Sequence, residues 1–155
     1  MSCKETKVVV RLYLPELEGD MKKALAFYRE HFGEPEEVFE DESYFYYESP
    51  KNNSKLKDRM ERNVDLRDPE NIRPYLHPVY RGNQFGVEVW LAHRDYNSYN
   101  SMGLRPGILH GDPIDLDDVL EIRKFLDDEG FDTTWMSFHS YTWYNGGDEP
   151  VKFHA

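Results

Sequence analysis

Two spacings of apolar residues take turns along the chain. Val8 to Leu14 reads Val-Val-Val-Arg-Leu-Tyr-Leu, a β-branched and aromatic run closed by Pro15, and predicts a strand. After the short connection Pro15 to Gly19, Met21, Ala24, Leu25, Tyr28 and Phe32 recur at helical spacing. Lys22, Lys23, Arg29 and Glu30 fall off that stripe. Asp20 stands where a helix cap is needed and Gly33 where a stop is needed, so the spacing predicts a helix over Asp20 to Phe32. Val38-Phe39 and Tyr44 to Tyr47 then read as two strands joined by the acidic turn Glu40-Asp41-Glu42, a hairpin.

Regular patterning fades over residues 50 to 82. This stretch holds Asn52-Asn53-Ser54, mixed charges, Asp68-Pro69 and Arg73-Pro74, and reads as a long polar connection with a short helix near Ser54 to Arg62. Phe85 to His93, Phe-Gly-Val-Glu-Val-Trp-Leu-Ala-His, is a strand, and Asp95 to Gly107 a polar loop. Ile108 to Gly111 reads as a short strand. Asp115 caps a second helix, Leu116 to Glu129, with Asp118 in its first turn, where the helix dipole favours anions. Val119, Ile122, Phe125 and Leu126 form its buried stripe and Gly130 ends it. Phe131 to Phe138 and Ser140 to Tyr144 read as strands, Asn145-Gly146-Gly147 as a turn, and Val151 to Phe153 as a last strand. The order is strand, helix, glycine stop and paired strands, twice over. It predicts an α+β fold: one domain over residues 1–155, with two helices packed on a mainly antiparallel sheet in two strand-helix-strand units, ferredoxin-like in one reading.

Composition narrows the function classes. At 155 residues the chain fits one domain, and 11 Tyr, 9 Phe and 3 Trp are too many aromatics for a disordered segment. No apolar run approaches the roughly 20 residues that span a bilayer, and Met-Ser-Cys-Lys-Glu lacks the apolar stretch of a signal peptide. One cysteine builds no internal disulfide framework, so the expected compartment is reducing and cytoplasmic. A net charge of -11 argues against direct contact with nucleic acid or an anionic membrane.

Catalytic motifs are sparse. Cys3 has no neighbour that would lower its pKa, and there is no Gly-x-Ser-x-Gly elbow or phosphate-cradling glycine loop. Ser137 and Ser140 flank His139, and because adjacent strand residues point to opposite faces, the sequence argues against a dyad there. His110, Gly111 and Asp112, together with His93 and His139, offer ligand types suited to zinc, iron or manganese. No two histidines have i, i+4 spacing, however, so whether they converge is left to the fold.

Met21 to Glu34 resembles the first helix of the vicinal oxygen chelate superfamily, which includes glyoxalase-like enzymes and bleomycin-resistance binding proteins. Ala24, Phe27, Tyr28 and Gly33 occupy the places of its Ala-x-x-Phe-Tyr-x-x-x-x-Gly run, and Ile108 through Gly130 loosely echoes a second module. The resemblance implies paired strand-helix-strand units as the alternative form of the α+β fold. Its metal enzymes carry a His, Gln or Glu in the first strand, where this chain has Arg11 and Tyr13. His110 and Glu88 are the remaining ligand candidates, so the resemblance points to a binding member rather than a metalloenzyme. No metal and no cofactor are expected.

The densest pattern is acidic and aromatic. Glu36, Glu37, Glu40, Asp41 and Glu42 precede Tyr44, Tyr46 and Tyr47, and a second acidic group includes Asp117 and Asp118. Like charges this close repel one another, and they suit either a solvated surface or a cationic partner. Tyrosines bury area at low entropy cost and commonly anchor interfaces. The sequence therefore favours a non-enzymatic binding protein that docks on a basic, nucleic-acid-binding surface of another protein by charge mimicry. Small inhibitors carried by phages and mobile elements act in this way. A second copy of the chain is another candidate partner. A small-molecule binder or metalloenzyme of the chelate superfamily is the alternative.

Overall fold

In the computed structural model, residues 5–35, 37–38, 45–46, 64–81, 84–95, 100–108, 112–142, 147–149 and 153–154 are described. The chain begins with strand β1 (Glu5–Tyr13), a 3-10 turn at Pro15–Leu17 and helix α1 (Met21–Phe32). The short strands β2 (Glu37–Val38) and β3 (Phe45–Tyr46) follow, then α2 (Pro69–Ile72), β4 (Leu76–Arg81) and β5 (Gln84–Asp95). After β6 (Asn100–Met102) and β7 (Ile114–Asp115) come α3 (Leu116–Asp128) and β8 (Met136–Thr142). Strands β9 (Gly147–Glu149) and β10 (Phe153–His154) complete the series.

Both long helices begin and end for the reasons visible in the sequence. The Asp20 side chain accepts the Lys23 N–H at 3.1 Å, and that of Asp115 accepts the Asp117 N–H at 2.9 Å. Gly33 and Gly130 follow with φ of 87° and 92°, a left-handed region costly to residues with a Cβ. Ala24, Leu25 and Tyr28 of α1 and Val119, Ile122, Phe125 and Leu126 of α3 are buried in one core.

The main sheet runs β4-β5-β1-β8-β9, with every neighbouring pair antiparallel, and β6 pairs with the far end of β5. The four longer strands and two long helices thus follow β-α-β-β-α-β, with spatial order β4-β5-β1-β8. This is the split β-α-β arrangement of the ferredoxin-like fold. Each helix connects strands that run parallel with one strand between them, and the buried stripes of both helices share one core. Val8, Val10 and Leu12 of β1 lie opposite Ala92, Val89 and Val87 of β5, and all six are buried. They form the apolar face that the helices cover. β1 lies innermost because it can bury both faces: Val9, on the other side, is buried as well.

Several local readings are corrected. Residues 64–81 are not an irregular connection: they form α2, a 3-10 turn at Arg73–Tyr75 and the edge strand β4, and Leu66, Ile72 and Tyr75 enter the core. Pro78 obscures this strand in the sequence and is tolerated because β4 is an edge, where a missing N–H faces no neighbour. The loop expected over Asp95 to Gly107 contains β6, and Met102 and Leu104 are buried. Of the short strand expected over Ile108 to Gly111, Ile108 is not in a strand and residues 109–111 lie outside the described residues; a short strand stands at Ile114–Asp115, paired in parallel with Phe153–His154. One strand, Met136–Thr142, replaces the two expected over Phe131 to Tyr144, because Thr133–Trp135 forms a 3-10 turn capped by Asp132. The hairpin is present as far as it is described, with Glu37 opposite Tyr46 and Val38 opposite Phe45. The helix expected near Ser54 to Arg62 and the segment containing Cys3 lie outside the described residues.

Candidate functional site

The sheet face turned away from the helices carries the chain's densest chemistry. Its centre is a row of side chains directly opposed across four strands: His77 on β4, Glu88 on β5, Arg11 on β1 and Ser137 on β8. Arg11 donates from Nε and Nη2 to Glu88 Oε2 at 2.9 and 2.6 Å. Trp90 Nε1 lies 3.3 Å from Glu88 Oε1. The carboxylate is thus held at both oxygens in a nearly dry position, with 3 % of its side chain exposed against 19 % for Arg11. Val9 and Trp90 face each other one step along, and the Lys7 ammonium sits 4.7 Å from the Trp90 ring centroid.

A β-bulge assembles part of this face. Val9 pairs with Trp90 and Val8 with Ala92, so Leu91 is the extra residue. The bulge is braced from outside, where Leu104 N–H donates to the Trp90 carbonyl at 3.1 Å and Arg105 N–H to that of Leu91 at 2.7 Å. Strict alternation would send Trp90 and His93 to opposite faces. The extra residue instead brings them together, stacked at 4.5 Å between centroids and 18° between planes. Gly86 allows the close approach of β5 to β1, since a Cβ there would fall 2.1 Å from the Leu12 carbonyl oxygen.

His77 meets Trp90 edge-on at 5.9 Å. Burial of its ring, reinforced by the positive charge of Lys7, pushes its pKa down from the usual 6.5 to about 3. Between those values the unfolded chain binds a proton that the folded chain refuses. The stabilisation is therefore complete above about pH 6.5 and is lost as pH falls towards 3, at about 1.4 kcal/mol per pH unit. Replacing His77 with Gln should flatten the loss of stability between pH 6.5 and 4 in urea titrations. Parallel pH dependences for parent and variant would contradict a buried neutral imidazole.

Ser137 and His139 correct the expectation of no contact between them. They are two residues apart on β8, so they share a face, and Ser137 Oγ lies 2.9 Å from His139 Nε2. Ser140, next to His139, is buried on the other side. His93 and His139 lie on the same sheet face with β1 between them, whereas His110 is outside the described residues. Glu88, the other ligand candidate, is committed to Arg11 and Trp90. Among the described residues no group of three His, Cys, Asp or Glu side chains is arranged to hold a metal ion.

The acidic surface is described in part. Glu37 is exposed on β2, with Tyr46 as its backbone partner on β3. Glu36, Glu40, Asp41, Glu42, Tyr44 and Tyr47 lie outside the described residues. In the second acidic group the two aspartates differ. The Asp117 carboxylate is exposed in the first turn of α3 and makes no side-chain bond among the described residues. Asp118 is half-buried and gripped by Arg105, Nε to Oδ2 at 2.9 Å and Nη2 to Oδ1 at 3.1 Å. Arg105 also donates to the Val64 and Leu104 carbonyls, so Asp118 anchors α3 to those segments.

The sequence reading missed an apolar strip beside Asp117. Leu116 and Leu120, one turn apart on α3, are 41 % and 53 % exposed, and Trp135 is 57 % exposed. These are the exposed large hydrophobic residues among those described. Leu116, Leu120, Arg123 and Asp127 share one side of the helix, flanking the buried stripe. Asp127 accepts a hydrogen bond from Thr133 Oγ1 at 2.7 Å, which ties the turn carrying Trp135 to the end of that side. The signal was available for Leu120, which stands three or four residues from none of Val119, Ile122 and Leu126.

Compared with models of known protein families, with curated proteins and with solved structures, the chain finds no match.

Proposed function

We propose that this protein is a binding protein whose acidic surface docks on a basic surface of another protein. The supporting observation is the placement of the exposed apolar residues. Leu116, Leu120 and Trp135 belong to α3 and the turn behind it, within a stretch dominated by carboxylates. Residues 112–132 hold nine acidic side chains (Asp112, Asp115, Asp117, Asp118, Glu121, Asp127, Asp128, Glu129, Asp132) against Arg123 and Lys124. Internal ion pairs occupy part of that charge: Asp118 with Arg105, Glu129 with Arg73, and Asp128 with Lys124. Asp117 is left facing solvent next to the leucines. An apolar strip bordered by negative charge suits a cationic partner with apolar side chains of its own. Charge would steer the encounter and burial of the strip would slow release. The acidic segment Glu36 to Glu48 would add negative charge, with Tyr44, Tyr46 and Tyr47 as anchors. In the narrower form of this reading the partner's basic surface is a nucleic-acid groove, blocked by charge mimicry. No helix among the described residues is long and apolar enough to cross a membrane.

The test is affinity capture with the parent chain and with a variant carrying Lys at positions 36, 37, 40 and 42. The expected result is one basic protein retained by the parent at low salt, released by salt, and bound at least tenfold more weakly by a variant of unchanged circular dichroism. Nucleic acid should compete for the same partner. Equal retention at low salt would defeat charge mimicry.

A further inference from the structure

The face that carries Arg11 also carries Lys7, Glu88 and, through its bond from the Tyr13 hydroxyl, Glu18. Glu88 does not use up the guanidinium. Both of its bonds from Arg11 end on one oxygen and come from Nε and Nη2, and among the described residues Nη1 makes no hydrogen bond. The second carboxylate oxygen is held by Trp90 Nε1 rather than by Arg11. Glu88 therefore fixes the guanidinium from the β5 side and leaves donors on its outer edge. On the other side of β1, the residue directly opposite Arg11 is Ser137, whose hydroxyl is bonded to His139. Cβ atoms of such cross-strand partners are about 4.5–5.5 Å apart, so the two residues are immediate neighbours on this face. Arg11, Ser137 and His139 are all half-buried, so the donors are partly dried without being closed off.

We infer that Arg11 and Ser137, backed by His139, form a binding site for an oxyanion, the carboxylate or phosphate group of a small ligand. A guanidinium whose orientation is already fixed presents two parallel N–H donors to such a group, and a hydroxyl adds a third from the side. Partial burial strengthens these bonds relative to water. His139 sets the serine hydroxyl: when its Nε2–H donates to Ser137 Oγ, the hydroxyl hydrogen is free to point at the anion. The site is separate from the acidic docking surface, because it lies on the sheet face opposite the helices.

The experiment titrates the full-length protein with inorganic phosphate and, separately, with acetate, at constant ionic strength set by chloride. It follows the Arg11 side-chain Nε resonance and the Ser137 amide by nuclear magnetic resonance. Saturable shifts of both resonances are expected with one of the two anions. Preference for phosphate would indicate a phosphate-bearing ligand, and preference for acetate a carboxylate. Ser137→Ala should weaken binding at least fivefold, and Arg11→Lys at least tenfold, with folding checked by circular dichroism. If Arg11→Lys fails to fold, the parent titration and Ser137→Ala still decide. No saturation by either anion up to about 50 mM, a hundredfold above a submillimolar site, would overturn the proposal. So would binding that Ser137→Ala leaves unchanged.

Discussion

Truncating Leu126 to Ala is expected to cost about 2–5 kcal/mol and to lower the melting temperature by roughly 5–15 °C. Leu126 is 1 % exposed and sits among Val119, Ile122 and Phe125 on the inner side of α3, against the apolar sheet face. Removing three carbons there forfeits their burial and leaves a cavity that the β-sheet cannot collapse to fill. Leu25 on α1 occupies the equivalent position and should behave alike. Leu120→Ala provides the contrast. It makes the same chemical change on the same helix at a residue 53 % exposed, and should stay within about 0.5 kcal/mol. Urea unfolding of the three variants checks the difference. Equal losses at 120 and 126 would mean that α3 is rotated from the orientation described. Leu120→Ala would instead show its effect in partner binding.

Glu88→Ala is the second large effect, about 3 kcal/mol. Buried ion pairs broken on one side lose about 3–5 kcal/mol, and the partial exposure of Arg11 places this one at the lower end. Two donors are stranded at once: the Arg11 guanidinium loses the carboxylate it is paired with, and the buried Trp90 Nε1 loses its acceptor. The pair itself need not be a net source of stability, since desolvating two charges offsets much of their attraction. A double variant, Arg11→Met with Glu88→Leu, should therefore recover most of what Glu88→Ala loses. Chemical unfolding of both variants measures this. If Glu88→Ala cost less than about 1 kcal/mol, the carboxylate would have to be solvated rather than held at both oxygens. The double variant would also lack the oxyanion site, so ligand binding and stability would respond to different substitutions.

Much of the scaffold can be read from the chain because local rules and the fold agree. The helical stripes Met21-Ala24-Leu25-Tyr28 and Val119-Ile122-Phe125-Leu126, their aspartate caps and their glycine stops depend on neighbours within four residues. β1 and β5 are runs too apolar to be anything but inner strands. From that pattern alone an α+β fold with two helices on an antiparallel sheet follows. The acidic character of α3's first turn and the exposure of Asp117 are equally local.

The rest was decided by residues far apart in the chain. β4 is a strand because β5 offers it an edge, although Pro78 and the polar run before it suggest otherwise. Asp118 looks like a surface charge beside Asp117, yet Arg105, thirteen residues away, turns it into an anchor. Arg11 and Glu88 are 77 residues apart, and no spacing rule joins them. Trp90 and His93 share a face only because one inserted residue, Leu91, breaks the alternation that the sequence would predict. Alternation and helical period report which way a side chain points relative to its neighbours in sequence. They carry no information about strand register or bulges, which are fixed when long-range pairing satisfies backbone groups that the local chain leaves open. The sequence by itself therefore determined the elements and their buried sides, while the meeting of Arg11, Glu88, Trp90 and Ser137 on one face came only from how those elements pair.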